Sequence, residues 1–311
     1  MTATPPSPDQ PLILGTRASP LALWQSEHVA AALCEAHGWA EGAIRPEKII
    51  TQGDKRLDTT LSEIGGKGLF TEELEDGLRN GALDLAVHSL KDLPTENPDG
   101  LVLGAILPRA DAADVLVPRP GTSPKGLDDL PEGARIGTAS LRRAAQLLHH
   151  RPDFEIAPLR GNVGTRLKKL ETEGFAATLL AAAGLDRLNI KVAGAIALPH
   201  GEVLPAAGQG ALAVQCREND TGLRSRLAAL HCAETFDCVT AERCFLAALD
   251  GSCRTPIAAY AEIDGDALTL KGRVLSDDGT RMAEGMLKGA RADAASMGQQ
   301  LAAQLADEMR G

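Results

Sequence analysis

Aromatic residues are scarce, with five Phe, two Trp and one Tyr making up 3% of a 311-residue chain. That excludes a nucleic-acid binder built on stacked bases, and Trp24 and Trp39 read as packing residues. No apolar run reaches the length of a membrane span. The opening MTATPPSPDQ has no basic segment, no apolar segment and no Arg. It reads as neither a secretory signal nor a transit peptide, but as a short disordered leader rich in Pro and Ser. Six cysteines (Cys34, Cys216, Cys232, Cys238, Cys244 and Cys253) include no C-x-x-C pair, and no His stands at zinc-finger spacing, so no structural metal is expected. With no export signal, free thiols in a reducing cytoplasm follow. Positive charge is also in deficit: 32 Lys and Arg face 42 Asp and Glu, a formal charge of -10. A long anionic polymer prefers a broadly basic protein, so no nucleic-acid partner is expected.

Against that acidic background one stretch turns basic. Between Thr138 and Lys169 stand Arg142, Arg143, Arg151, Arg160, Arg166, Lys168 and Lys169, opposed only by Asp153 and Glu155. Guanidinium presents a planar fork of donors that fits carboxylate or phosphate. A cluster of such forks in an acidic protein suggests a pocket for a small polyanion.

Short apolar runs alternate with amphipathic stretches. LILGT (12–16) reads as a strand, followed by a helix from Ser19 to His37 with the Ser19 hydroxyl as N-cap and Pro20 at the first helical position. EKIIT (47–51) reads as a strand, 68–81 as a helix stopped by Gly81, and DLAVHSL (84–90) as a strand ending in the turn KDLP. This alternation predicts a parallel sheet covered by helices. A second such series follows: strands at 114–118, 134–138, 154–159, 175–183 and 195–198, with helices at 140–150 and 162–171. GALAVQC (210–216) reads as a strand able to return to the first sheet. After a helical segment (221–250), IAAYAEI, ALTLKGRVLS and RMAEGMLKG read as antiparallel strands and 291–309 as a closing helix, an α+β pattern. The expected fold is therefore α/β, with two α/β domains around a central anion-binding cleft and a C-terminal α+β domain. Ligands of such sheets sit at the carboxyl ends of strands. There the chain places Thr16-Arg17, Ser89-Lys91-Asp92, Thr138 to Arg143, and Arg160-Gly161-Asn162, three of the four followed by a helix N-terminus.

Three motifs admit two readings each. VHSLKDLP (87–94) is either a plain turn with a solvated ion pair or a carboxylate set among cations to steady a transient positive charge; His88 reads as a packed residue. GDKRLDTTLSEIGGKGLF (53–70) is either a solvated loop or a lid carrying Lys55, Arg56 and Lys67 over an anionic site. It is not a phosphate-binding P-loop, because the required first glycine is replaced by Leu61. In DGSCRTP (250–256), Cys253 is either a small structural cysteine or a nucleophile whose thiolate Arg254 favours.

Nine stretches in order give these motifs a common frame: TRASPLALWQ (16–25), GGKGLF (65–70), AVHSLKDLP (86–94), GTASLRR (137–143), LRGNVGTRL (159–167), AAGLDRL (182–188), LPAAGQGAL (204–212), TAERCF (240–245) and GSCRTPI (251–257). Together they resemble the porphobilinogen deaminase (hydroxymethylbilane synthase) family from residue 12 to the end. The resemblance implies a transferase that joins four porphobilinogen molecules head to tail, releasing ammonia each time, and grows the product on a dipyrromethane cofactor. It implies a thioether from that cofactor to Cys253, with Lys91, Arg142, Arg143, Ser140, Thr138, Arg166 and Gln209 around it. It implies substrate contacts from Arg17, Arg160, Arg166, Arg187, Ser89 and Lys67, and catalysis by Asp92 at the pyrrole nitrogens. No metal is implied. Three domains are implied, the first two resembling type II periplasmic binding proteins: 10–109 with 210–230, 110–205, and 231–311 carrying the cofactor cysteine.

Each pyrrole unit brings two carboxylates, which accounts for the arginines. Loss of ammonia leaves a cationic centre that Asp92 can stabilise. Ala139, Ala176 and Ser252 depart from the family pattern without touching these charged positions. The expected protein is a cytoplasmic monomer. Its rival is a non-catalytic anion-binding protein, which explains the arginines but neither Asp92 among them nor Cys253 in a third domain.

Overall fold

The computed structural model describes residues 5–51, 71–251 and 255–310. The expected lid, Lys67 and Cys253 lie outside them. Along the chain, β1 (Leu12–Arg17) leads to α1 (Pro20–His37), β2 (Ile44–Ile49), α2 (Glu72–Arg79), β3 (Leu85–Ser89) and β4 (Leu101–Ile106). Then come β5 (Asp114–Pro118), β6 (Arg135–Gly137), α3 (Leu141–His150), β7 (Glu155–Ala157), α4 (Val163–Thr172), β8 (Ala177–Ala181), α5 (Ala182–Arg187) and β9 (Ile196–Ala197). β10 (Leu212–Arg217), α6 (Thr221–Leu227) and α7 (Ala233–Ala248) precede β11 (Ile257–Asp264), β12 (Ala267–Leu275), β13 (Met282–Ala290) and α8 (Ala294–Arg310).

These elements build two compact units: Met1–Arg109 with Ala211–Phe236, and Ala110–Gly210 with Asp237–Gly311. The first unit holds a five-stranded sheet in the order β2-β1-β3-β10-β4. β1, β2 and β3 are parallel, while β10 runs antiparallel to both β3 and β4. The second unit repeats this plan in the order β7-β6-β8-β5-β9, with β5 as the antiparallel strand. In each sheet the antiparallel strand is the one that follows a passage of the chain from one unit to the other. This shared order is the pair of α/β sheets expected from the sequence, and the return of 210–216 to the first sheet is part of it. The C-terminal residues add an antiparallel β11-β12-β13 sheet and α8, an α+β domain.

Burial on both faces explains the nearly unbroken apolar strands. Alternate residues of β3 face opposite cores: Leu85 and Val87 join Leu14, Val29 and Leu33 of the α1 side, whereas Ala86 joins Leu74 and Leu78 of α2. β5 does the same, Leu116 packing with Ile136 and Leu147, and Val115 and Val117 with Leu159, Leu170 and Phe175. The core of the C-terminal α+β part gathers Phe245, Leu268, Leu270 and Leu301.

Ser19 caps α1 as expected, and the structure adds two caps not read from the sequence. Ser19 accepts from Ala22 N, Ser140 from Arg143 N and Asn162 from Thr165 N. Three strands differ from expectation. β2 spans Ile44–Ile49 where 47–51 was expected, beginning three residues and ending two residues earlier. It is an edge strand, so its outer side tolerates Pro46 and needs little apolar pattern. β4 was not expected, because LVLGAI lies behind a Pro/Gly turn and contains Gly104. That glycine admits Leu227, whose Cδ1 lies 2.5 Å from where a Cβ would stand. β8 stops at Ala181, where the alanine run turns into α5 instead of continuing extended.

The C-terminal sheet is tied to the rest of its unit by buried charge. Glu242 of α7 is fully buried, its two carboxylate oxygens accepting from Gly208 N and Ala261 N at 2.7 Å each. Arg273 of β12 donates to Gln146 Oε1 at 2.7 Å, to Gly201 O at 2.9 Å and to Glu202 O at 3.2 Å, and pairs with Glu284. Removing Glu242 strands two buried N–H groups, so Glu242→Ala should lower unfolding free energy by about 3 kcal/mol and Glu242→Gln by less. Equal losses in the two variants in urea denaturation would show that the acceptors are not what the side chain contributes.

Candidate active site

In the first unit the polar residues stand where parallel strands end. Arg17 closes β1. Thr16, fully buried, donates from Oγ1 to Ala22 O at 3.0 Å and so fixes the entry to α1. β3 ends one position away at Ser89, whose Oγ accepts from Gln25 Nε2 of α1 at 2.8 Å. The chain then makes one 3-10 turn, Leu90–Asp92. Leu90 is buried and donates to Ala211 O at 3.0 Å, and Leu93 is buried behind it, so Lys91 and Asp92 are turned outward between two anchors. Asp92 is exposed. β1 and β3 pair in parallel through Leu14–Leu85 and Gly15–Ala86, so the same register carries Arg17 alongside His88. Arg17, Ser89, Lys91 and Asp92 thus share one sheet edge.

His88 is packed, as expected. It is buried on β3, with Nε2 3.1 Å from Gln215 Oε1. Burial pushes its pKa down to about 4, the Gln215 contact opposing and Arg17 adding to the shift. Trp24 stacks on His28 and Trp39 on His37, and Trp39 also packs against the first core.

In the second unit Thr138 follows β6 and accepts from Ser140 N at 3.1 Å, while Ser140 caps α3. Arg160 follows β7. Gly161 takes φ 116 and lets the Thr165 methyl lie 2.7 Å from where a side chain would start, a turn that only glycine makes without strain. Arg166 donates from Nε to Gly161 O at 2.8 Å, and Arg187, at the end of α5, from Nη2 to Gly210 O at 2.7 Å.

Arg142 and Arg143 are buried, and both meet Asp114 at the start of β5. Arg143 donates to Asp114 Oδ1 from Nη2 at 2.6 Å and Nε at 3.2 Å, and to Leu179 O at 2.9 Å. Arg142 Nη1 lies 2.7 Å from Asp114 Oδ2, a charge contact instead of a directed hydrogen bond, while donating to Leu204 O at 2.6 Å. Gln209, fully buried, donates to Ala112 O at 2.7 Å and to Asp114 Oδ1 at 3.0 Å. Burial alone would raise the Asp114 pKa, but the two guanidiniums hold it well below the usual carboxylate range; burial lowers that of Arg142. Two cations on one carboxylate leave the cluster positive. That excess suits an anionic group such as a carboxylate.

Comparison with known proteins settles the lineage. Residues 12–225 match the family model described as porphobilinogen deaminase, dipyromethane cofactor binding domain, and residues 236–307 match porphobilinogen deaminase, C-terminal domain. The chain belongs to the porphobilinogen deaminase family. The porphobilinogen deaminase of Paracoccus denitrificans is 47% identical over 306 residues, 98% of this chain and 96% of its own. That of Moorella thermoacetica is 49% identical over 294 residues, 94% and 92%. A solved domain, the periplasmic VFT2 domain of Bordetella pertussis BvgS, overlaps 70% of this chain and 86% of its own at TM-score 0.42 and 16% identity.

The geometry sorts the residues of the sequence motifs by unit. The structure gathers Arg17, Ser89, Lys91 and Asp92 in one unit, and Thr138, Ser140, Arg142, Arg143 and Gln209 in the other, with Arg160, Arg166 and Arg187 at neighbouring element ends. Asp114, Gln146, Glu242 and Arg273 escaped the sequence reading. Asp114 opens a strand that reads as ordinary, and its one signal is a carboxylate directly in front of an apolar run.

His88 supplies a pH test of this packing. Below pH 6.5 the unfolded chain takes up a proton that folded His88 refuses until pH 4 or so. Stability should therefore fall as pH drops through that window and level off below it, the His88 share being about 3 kcal/mol. His88→Gln should flatten the slope in denaturation series between pH 6.5 and 4; an unchanged slope would mean that folded His88 titrates like the free side chain.

Proposed function

We propose that the chain condenses four porphobilinogen molecules head to tail into linear hydroxymethylbilane, releasing ammonia at each step, as a transferase of porphyrin and heme biosynthesis. One observation carries the reading: the residues matched by the deaminase models include a buried cluster with more guanidinium than carboxylate. A substrate with two carboxylates per ring meets complementary charge there.

Each addition breaks the C–N bond of one aminomethyl group and forms one C–C bond. The amine leaves as ammonia with the proton given up by the pyrrole carbon attacked, so atoms balance. Positive charge gathers on the pyrrole as ammonia departs. Asp92, exposed at the end of its anchored turn, is the carboxylate suited to stabilise that charge, with Lys91 and Ser89 beside it. Arg17, Arg160, Arg166 and Arg187, with Lys67 and Ser89, hold the substrate carboxylates. Thr138, Ser140, Arg142, Arg143, Arg166, Gln209 and Lys91 would hold the dipyrromethane cofactor, with Cys253 as its thioether anchor. When bound, that group supplies the pyrrole end from which the product is extended. In the three-domain division (10–109 with 210–230, 110–205, and 231–311) the last domain carries that anchor. Among the described residues no helix is long and apolar enough to cross a membrane. The proposed enzyme is a cytoplasmic monomer with no nucleic-acid partner.

Intact mass tests the anchor. The chain as purified should carry two pyrrole units above its sequence mass, and Cys253→Ser should carry none and be inactive. Adduct mass persisting in that variant would move the anchor to another cysteine, while unmodified, inactive wild-type chain would favour a simple anion binder. Asp92→Asn keeps the shape of the side chain and loses its charge. We expect kcat to fall at least about a hundredfold and KM to change less, since the arginines still bind carboxylates. Near-normal kcat with a greatly raised KM would assign Asp92 to binding alone.

A further inference from the structure

Arg142, Arg143 and Gln209 are three of the anion-holding residues in the reading above, yet all three turn to one acceptor. That acceptor, Asp114, belongs to none of the family-like stretches. It is the first residue of β5 and lies opposite Ala181, the last residue of β8. Because β5 runs antiparallel to β8, its beginning falls at the edge where the parallel strands end, level with Thr138 and Ser140. The side chain is 0% exposed, and those of Arg142 and Arg143 are 6% and 7% exposed. Two guanidiniums buried this closely repel each other and lose their hydration; one shared carboxylate offsets both costs. It also fixes where they point, since Arg143 meets it through two nitrogens and Gln209 shares the same oxygen.

We propose that Asp114 is the positioning residue of this anion site. It draws both arginines and Gln209 onto one point and lowers the cluster from two positive charges to one. The site then takes one ligand carboxylate in a set orientation instead of whatever anion the solvent supplies. This rests on the deaminase reading, and it adds a determinant of selectivity to it.

The test uses the full-length chain without its adduct, produced in a host unable to make porphobilinogen. Wild type and Asp114→Asn are melted over a series of inorganic sulfate concentrations, then incubated with porphobilinogen and weighed over time. Without sulfate, the Asn variant should melt about 5–10 °C lower than wild type. With two unopposed cations it should then gain about 5 °C more from saturating sulfate than wild type does. Its adduct should form at least about tenfold more slowly. Equal sulfate response, or normal adduct formation, overturns the proposal, the first by reducing Asp114 to packing. Should the Asn variant fail to fold, Asp114→Asn combined with Arg143→Gln restores a single positive charge. Recovery of folding in the double variant supports charge balance as Asp114's role, and no recovery overturns it. If the wild-type chain itself gains no adduct, the deaminase reading fails, whatever Asp114 does.

Discussion

A carboxylate shut away from water between two guanidiniums is the constraint on which the second unit depends. Burying any of the three alone would cost several kcal/mol. Together they satisfy one another, and the unit is arranged to keep them together. Arg143 also reaches Leu179 O of β8, and Arg142 reaches Leu204 O. The first turn of α3 is thereby fastened to the sheet on one side and to the 204–210 loop on the other. Gln146, one turn further along α3, grips the same loop in both directions, donating to Leu204 O at 3.1 Å and accepting from Leu204 N at 2.8 Å. Arg273 then donates to that Gln146 oxygen, so the C-terminal sheet is keyed to the helix that carries the arginines. Lysine could not replace these arginines, because each guanidinium contacts a carboxylate and a carbonyl at once.

The sheets explain why the polar chemistry is confined to strand ends. With helices on both faces, the strands are committed to apolar packing along their length, and only their edges can present charge. The two units solve the problem of holding those ends in similar ways. Each uses a helix capped by a hydroxyl or amide just beyond the strand: Ser19 after β1, Ser140 after β6, Asn162 after β7. The KDLP turn has no helix after it, and two buried leucines hold it in place instead. A carboxylate among cations needs that rigidity, since a side chain free to swing would pair with the nearest cation and lose its reach toward a ligand.

Much of this was legible in the residues. Caps act locally, so α1 begins where Ser19 places it, and α3 and α4 begin within a residue of the expected 140 and 162. The two α/β series and the C-terminal meander follow from period and length. The return of 210–216 to the first sheet was readable because an apolar strand placed after the second α/β series needs a sheet already built. Edge strands were harder to read: β2 and β4 have one neighbour each, and their patterns are correspondingly loose. Buried ion partners were the least legible. Nothing near Asp114 in sequence reveals that Arg142, Arg143 and Gln209 will meet it, because the pairing is made by the antiparallel course of β5. Glu242 and Arg273 escaped for the same reason, each being joined to partners from distant segments.

The remaining thiols bear on how one cysteine could be chosen for covalent chemistry. A thiol reacts as thiolate, and burial without a cation opposes that form. Cys216 lies fully inside the first core, where burial pushes its pKa up to about 11. Burial also raises those of Cys34 and Cys244, the latter despite Arg243 beside it. Burial disfavours the thiolate at all three, and Cys34 and Cys216 pack in the first core as small apolar side chains. An anchor at Cys253, as proposed, would meet little thiolate competition from these three. The anchor proposed at Cys253 has Arg254 beside it in sequence, a cation that favours thiolate. On the proposed reading, burial at Cys34, Cys216 and Cys244 withholds competing thiolates, and the cationic cluster around Asp114 would hold the polycarboxylate.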